Sequence, residues 1–273
     1  MIGYNPGKRP AQAKTLEGGL SLSSEFEVRY PISQKMLRHA GESIKKYAMI
    51  ESGDRIMIGL SGGKDSLLLS LVLATLHRKS PVKFKLTACL VDQSDGQMDL
   101  AGVTTYMATL DIPLKIINHP TYKIMEIRDE RSPCSLCANL RRGILANAAL
   151  ESDCNVLALG HHKDDAVETV LLNLFYGGRF KCYHPHLFMS RSKIRVIRPL
   201  IYTEEQKITI EAQRLGLPVT SSCCPYGDDS KRKMTKEILA QIEAQIPEIK
   251  SNMIHALENA ILCETWAEQE IKE

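Results

Sequence analysis

The chain has 273 residues, 44% of them hydrophobic and 25% charged, with a formal net charge of +3. That balance suits a globular protein with material for one large or two small domains and excludes a chain disordered as its main state. The longest apolar run, Leu67–Leu76, is broken by Ser70 and Thr75 and falls short of the roughly 18 residues a bilayer span needs, while +3 is too small a charge to argue for nucleic acid by itself.

Residues 1–30 hold Gly3, Pro6, Gly7, Pro10, Gly18, Gly19 and several serines without periodicity, and read as a mobile leader. Its Lys8, Arg9 and Lys14 precede no apolar core, so it does not read as a secretory signal and the expected compartment is the cytoplasm, with no membrane partner. Ser33 is placed to cap a helix through Ile50, along which Met36, Leu37, Ala40, Ile44 and Tyr47 recur at 3.6 spacing. From Arg55 onward, short apolar runs alternate with longer helical patterns. Strands are predicted at Arg55–Leu60, Phe84–Val91, Leu114–Asn118, Val156–Gly160 and Lys193–Ile197, each buried on both faces. Helices are predicted at Lys64–Arg78, Asp99–Leu110, Ser135–Leu150 and Asp164–Phe175. These make βαβ units, and the fold class is α/β: a doubly wound, mostly parallel sheet. Further helices at Thr203–Leu215, Lys231–Gln245 and Ile249–Glu270 follow, and the chain divides into the leader, a main folded domain at 31–240 and a helical extension at 241–273.

The first strand runs into Ser61-Gly62-Gly63-Lys64-Asp65-Ser66 and then an apolar helix. A glycine-rich turn between strand and helix lets bare backbone N–H groups and the positive helix end converge on one anion. The pattern is neither Walker A nor G-x-G-x-x-G, which excludes a kinase-like γ-phosphate site and a dinucleotide fold. Val91-Asp92 closes the second strand and Gly160-His161-His162-Lys163-Asp164-Asp165 the fourth; both should meet the loop in the crevice beyond the strand ends. Asp164 could equally cap the following helix, and His161 and His162 read better as hydrogen-bonded structural residues than as catalysts.

Cys134 and Cys137, in Pro133-Cys134-Ser135-Leu136-Cys137, share one face of a first helical turn, where the helix dipole favours thiolate. They could ligate a metal or form a redox dithiol. Cys223 and Cys224 supply later thiols, and because adjacent residues rarely reach one tetrahedral metal, three cysteine ligands with an open position fit better than four. Cys89, Cys154, Cys182 and Cys263 have no partner at ligand spacing and read as small packed hydrophobes.

The hexapeptide Ser61–Ser66 resembles the pyrophosphate loop of the PP-loop ATPases, the N-type ATP pyrophosphatases. Gly-His-His-Lys-Asp-Asp at 160–165, the Cys134/Cys137 helix with its Leu140-Arg141-Arg142-Gly143 tail and the late Cys224-Pro225-Tyr226 resemble the tRNA 2-thiocytidine synthetase family within that superfamily, over roughly residues 31 to 240. The resemblance implies a PP-loop fold with N- and C-terminal helices, and ATP held by Ser61, Gly62, Gly63, Lys64, Asp65 and Ser66 with Asp92, Gly160 and Asp165 nearby. Lys64, Asp65 and Asp164 would be catalytic, and the acidic residues would hold Mg2+ beside the triphosphate. It further implies a 4Fe-4S cluster on Cys134, Cys137 and Cys224, with Cys223 as the alternative, and thiolation of cytidine 32 in tRNA. Thiouridine synthetases are the neighbouring alternative; the extra zinc-finger cysteine pairs usual among them are missing here.

In that scheme the C2 oxygen of a pyrimidine, a poor leaving group, is first adenylated and then replaced by sulfur. A sulfide or persulfide donor such as a cysteine desulfurase is an implied partner, as is a second copy in a homodimer. Basic residues predicted to meet RNA are Arg141 and Arg142 first, then Arg179 and Lys181, the Arg191/Lys193/Arg195/Arg198 stretch and Lys231–Lys233. A small-molecule sulfur transferase or ligase, and a non-catalytic cluster- or zinc-binding sensor, are the rival readings.

Overall fold

A computed structural model describes residues 31–128, 133–220 and 230–260. The elements follow as α1 (Gln34–Lys46), β1 (Arg55–Leu60), α2 (Lys64–Lys79), β2 (Lys85–Asp92), α3 (Ala101–Thr109), β3 (Leu114–Asn118), α4 (Thr121–Arg128), α5 (Pro133–Glu151), β4 (Val156–Ala158), α6 (Lys163–Gly177), β5 (His186–Met189), β6 (Ile194–Ile197), α7 (Glu205–Arg214), α8 (Ser230–Gln245) and α9 (Ile249–Glu258). One six-stranded sheet has the order β3-β2-β1-β4-β6-β5. The first five of these pair in parallel, and β5 returns antiparallel to β6. The chain therefore moves outward from β1 to β3, crosses back through α5, and continues outward on the other side from β4. The switch point lies between β1 and β4, where an open α/β sheet leaves a crevice beyond its carboxyl ends.

Central strands bury both faces and separate two cores by residue parity. Ile56, Ile58 and Leu60 of β1 join Ala88, Leu90, Val156 and Ala158 in the larger core with α1, α2, α3 and α7. Met57 faces the other way, with Cys89, Val91 and Leu157, onto Leu145, Ala146, Ala148 and Ala149 of α5. Helix α2 is buried on every side from Ser66 to Thr75. Its polar side chains are satisfied within the helix: Ser70 donates to Ser66 O at 3.0 Å and Thr75 to Leu71 O at 2.7 Å.

Several boundaries differ from expectation, each for a local reason. The first helix stops at Lys46 instead of Ile50: Ala48 turns to φ +46°, and Met49 N–H donates to Ile44 O at 3.0 Å while its side chain is fully buried. This is a Schellman-type stop without glycine. β4 ends at Ala158, short of Gly160, although Leu159 N–H still reaches Ile197 O at 2.9 Å. β3 is an edge strand with Ile116 43% exposed, so it is not buried on both faces. The sequence reading did not contain α4 or β5; β5 is four residues long, with Leu187 and Phe188 exposed, and a turn with Lys193 at φ +53° connects it to β6. The leader, the segment holding Cys223 and Cys224, Cys263, and the part of the last predicted helix beyond Asn259 and Ala260 lie outside the described residues.

Leu68 is fully buried in the middle of α2. Replacing Leu68 by Ala is expected to lower unfolding free energy by about 2 to 5 kcal/mol, measured as a reduced urea midpoint with an unchanged slope.

Candidate nucleotide and thiol site

The loop after β1 is built by its own serines. Ser66 Oγ accepts from Ser61 N–H at 3.2 Å and donates to Gly63 O at 3.0 Å, while Ser61 Oγ accepts from Gly63 N–H at 3.3 Å. Gly62 sits at φ +76°, and a Cβ there would also press on Thr220 and Met98 at 3.2 and 3.3 Å. Thr220 N–H donates to Gly62 O at 3.0 Å, so the described chain before Cys223 and Cys224 ends pinned to this loop. Gly160 closes the floor: a Cβ on it would lie 3.0 to 3.1 Å from backbone atoms of Asp65 and Ser66, which have no room to yield. The first turn of α2, with its unpaired N–H groups, thus opens at the carboxyl ends of β1 and β4.

Around this turn the charged side chains close a ring. Lys64 Nζ lies 3.2 Å from Asp65 Oδ1 and 3.0 Å from Glu205 Oε1 of α7. Lys236 of α8 bridges Glu205 at 3.2 Å and Glu168 of α6 at 3.5 Å. Arg232 of α8 approaches Glu168 at 3.3 Å and Asp165 at 3.9 Å, and His162 Nε2 completes the circuit to Asp165 at 3.3 Å and Asp65 at 3.8 Å. Burial pulls the Lys64 and Lys236 ammonium groups down, and the carboxylates more than offset it. Burial pushes Glu205 up, but Lys64 and Lys236 outweigh this and hold its carboxyl at about 2. Asp165 and Glu168 go the other way, raised by burial that their cationic neighbours only partly offset, and each also feels a nearby carboxylate.

The two aspartates after the histidines differ in role. Asp164 does not cap α6; His162 does, its Nδ1 accepting from Asp165 N–H at 3.4 Å while Asp165 accepts from His162 N–H at 3.1 Å. With Nδ1 accepting, Nε2 carries the proton and faces the Asp65 and Asp165 carboxylates. Asp164 turns to Lys250 of α9 at 2.8 Å and to Glu205 N–H at 2.7 Å, tying α6 to α9 and to the start of α7. Asp165, not Asp164, therefore shares the crevice with Asp65. Asp65 Oδ1 is buried without a hydrogen-bond partner among the described residues, Lys64 being near but off line. An orphaned carboxylate oxygen opposite a second carboxylate is a donor set that fits a divalent cation such as Mg2+.

Asp92 ends β2 and organises the loop beyond it. Its Oδ1 accepts from Ser94 N–H at 2.8 Å, and its Oδ2 from Gly96 N–H at 2.9 Å and Met98 N–H at 3.2 Å. Burial would raise this carboxyl, yet those hydrogen bonds hold it below the usual value. The next residue, Gln93, donates from Nε2 to Cys137 Sγ at 2.8 Å. Cys137 is half-buried on α5. The side chain of Cys134, on the turn before it, is outside the described set, as are Cys223 and Cys224. Among the described residues no three His, Cys, Asp or Glu side chains form a metal-holding group; Cys137 fits a cluster by its thiol chemistry and its place at the crevice.

Arg141 is half-buried and Arg142 exposed, donating to Asn139 at 3.1 Å. Both lie near enough to His161 to help depress it; burial does most of this and Arg198 adds to it, leaving the imidazole neutral with a pKa of about 3. Arg198 itself is buried, donates to His161 at 3.2 Å and lies 4.5 Å over the Tyr183 ring, and Arg195 is paired with Asp54. Of that basic stretch only Arg191 and Lys193 remain exposed. Cys89, Cys154 and Cys182 are packed, with thiols raised by burial. The sequence reading missed Glu205 and Lys236, which lie far from the motifs, and also Gln93 and Glu168, whose signals were their places one residue after Asp92 and three after Asp165.

The PP-loop domain family matches residues 33–221. A tRNA-cytidine(32) 2-sulfurtransferase of Pelobacter propionicus is 42% identical over 254 residues, covering 90% of this chain and 93% of that protein. The chain belongs to the PP-loop family of the tRNA-cytidine(32) 2-sulfurtransferases. A second member, from Cronobacter sakazakii, is 37% identical over 86% of this chain and 77% of its own length. Among solved structures, the U34-tRNA thiolase of Methanococcus maripaludis with its 4Fe-4S cluster superposes with a TM-score of 0.70 at 25% identity, covering 87% of this chain and 80% of that one.

The Glu205 carboxyl titrates near 2 instead of its ordinary 4.5, so its ion pairs stabilise fully above about pH 4.5 and are lost as pH falls towards 2. Glu205→Gln should flatten the acid limb of a melting-temperature profile across that window. An acid limb as steep as that of the parent would show that this cluster does not carry it.

Proposed function

We propose that this protein is an ATP-dependent tRNA sulfurtransferase acting on cytidine 32. The observation that carries the reading is the meeting of two chemistries at one end of the sheet: the anion-binding turn Ser61–Ser66 after β1, and Cys137, held by Gln93, after β2. A metabolite-adenylating enzyme needs the first and has no use for the second.

In the reaction the base's C2 oxygen attacks the α-phosphorus of ATP, the α–β bond breaks, and pyrophosphate leaves; sulfide then adds at C2 and AMP departs. The N–H groups of residues 61–66, with Lys64, would hold the departing pyrophosphate. Lys64 has two carboxylate partners and a third N–H for a phosphate oxygen, and Lys236 and Arg232 stand next in line as cations paired to carboxylates. Asp65 and Asp165 would hold Mg2+, which neutralises charge on the triphosphate. Cys134, Cys137 and Cys224, with Cys223 the alternative, would hold a 4Fe-4S cluster, whose chemistry when bound would be the supply of sulfide for the activated base. Gln93 fixes the orientation of Cys137 by its N–H. Arg141 and Arg142, along the same helix, would face RNA.

The remaining assignments follow from the same reading: a sulfide or persulfide donor such as a cysteine desulfurase, a homodimer, action in the cytoplasm where tRNA is modified, and residues 31–240 as the catalytic domain. No helix among the described residues is long and apolar enough to cross a membrane.

The test is mass spectrometry of nucleosides from total tRNA of the source cell, with the gene deleted and then restored. Deletion should remove 2-thiocytidine alone, and wild-type protein should restore it. Lys64→Ala and Cys137→Ser should each restore less than about a tenth as much. Persistence of 2-thiocytidine on deletion would overturn the assignment, and loss of a 2-thiouridine in its place would move it to uridine.

A further inference from the structure

Helix α6 begins at the ring of charged residues and ends in exposed aromatic side chains that the reaction does not use: the Phe175 and Tyr176 rings lie 6.5 Å apart, and Phe180 stands just past the turn that closes the helix. Phe175, Tyr176 and Phe180 are each 46 to 57% exposed. Exposed rings grouped this way mark an interaction site. Arg179 and Lys181 flank Phe180 and are exposed, and Lys231 Nζ lies 5.2 Å from the centre of the Tyr176 ring. The turn that presents Phe180 is fixed. Gly178 takes φ +57°, Arg179 N–H donates to Asn173 O at 3.0 Å, and Asn173 Nδ2 donates to Lys181 O at 2.9 Å.

Two observations decide what this surface fits. First, the chain carries 32 Asp and Glu residues, yet none occurs from Thr169 through Thr203. A second copy meeting this patch about a two-fold axis would set the same cations against one another, whereas a polyanion meets no repulsion. Secondly, the patch is continuous with the site. Asp165, Glu168, Leu172 and Tyr176 follow one another at helical spacing on α6, with Tyr176 about 16 Å along the axis from Asp165. Neighbouring residues of α8 span the two ends, Arg232 on Glu168 and Asp165, Lys231 over Tyr176. Aromatic faces beside cations, on a segment that carries no acid between residues 169 and 203, are the chemistry that holds unpaired nucleotides: bases stack on rings, and phosphates take the cations.

We propose that Phe175, Tyr176 and Phe180 form a stacking platform for unpaired nucleotides of the substrate RNA, with Arg179, Lys181 and Lys231 taking its phosphates. This rests on the reading of tRNA as substrate.

The test measures the dissociation constant of the full chain for a tRNA transcript carrying cytidine 32, and for a fully paired hairpin, across a salt series. The Phe175→Ala/Phe180→Ala variant should bind the transcript about tenfold more weakly or worse, with an unchanged salt slope, unchanged hairpin binding and unchanged ATP affinity. Arg179→Gln/Lys181→Gln should lower the slope of log affinity against log salt by about 1.4, as two lost single-strand phosphate contacts require. Unchanged transcript affinity in both variants overturns the platform. So does an affinity loss that tracks conversion of a dimer to monomers in sedimentation, which would assign the patch to a second copy. A wild-type chain that binds no tRNA fails the substrate reading itself, a result visible before any variant is made.

Discussion

The burial of α2 on all sides is the constraint on which the rest of the structure depends. A helix apolar around its whole circumference must be enclosed, and α1, α3, α7 and the central strands enclose it here. Enclosure fixes the axis, and the axis fixes where its first turn opens. Gly160, just beyond β4, lets the chain pass against that turn where a side chain would collide with Asp65 and Ser66, and the serine bonds within residues 61–66 set the loop. The anion-binding end is rigid because the helix behind it has no face free to slide. Its rim is different in kind: α7 and α8 contribute side chains that hold one another by charge, in pairs that an incoming anion can exchange.

That difference sorts the residues of the crevice by the work they do. The glycines and serines shape backbone and tolerate little change. Glu205, Lys236, Glu168 and Arg232 set the field over that backbone, and their mutual pairing keeps two cations near the loop without leaving them unpaired in a partly buried space. Asp92 belongs to the first group, since its carboxylate is consumed by three backbone N–H groups and the Ser94 hydroxyl. Its observed work is on the loop that follows β2.

Much of this was legible in the sequence. The parallel strands, the loop at Ser61–Ser66 and the helix bearing Cys137 were readable because buried strands leave continuous apolar runs and because phosphate chemistry constrains neighbouring residues. β5 was not legible: four residues with two exposed apolar side chains carry no burial signal. The stop of α1 at Ala48 was hidden because a left-handed alanine looks like any helical alanine in sequence. The ionic rim was hidden for a different reason. Lys64, Glu205 and Lys236 lie on three helices, and only the tertiary fold brings Glu205 to 3.0 Å from Lys64 and 3.2 Å from Lys236. Asp164 and Asp165 form one motif in sequence, yet on a helix adjacent residues point about 100° apart. One therefore faces the crevice, and the other binds α9.

Helix α5 is firmly anchored at only one end. From Leu145 onward it packs into the smaller core, whereas towards its start Cys137 is half-buried and Ala138 and Asn139 are exposed, with Gln93 holding Cys137 from the side. The thiol-bearing end thus stands outside the smaller core that holds the rest of the helix. A group placed beside Cys137 would therefore press on exposed side chains of α5, and not on the sheet or the enclosed helix.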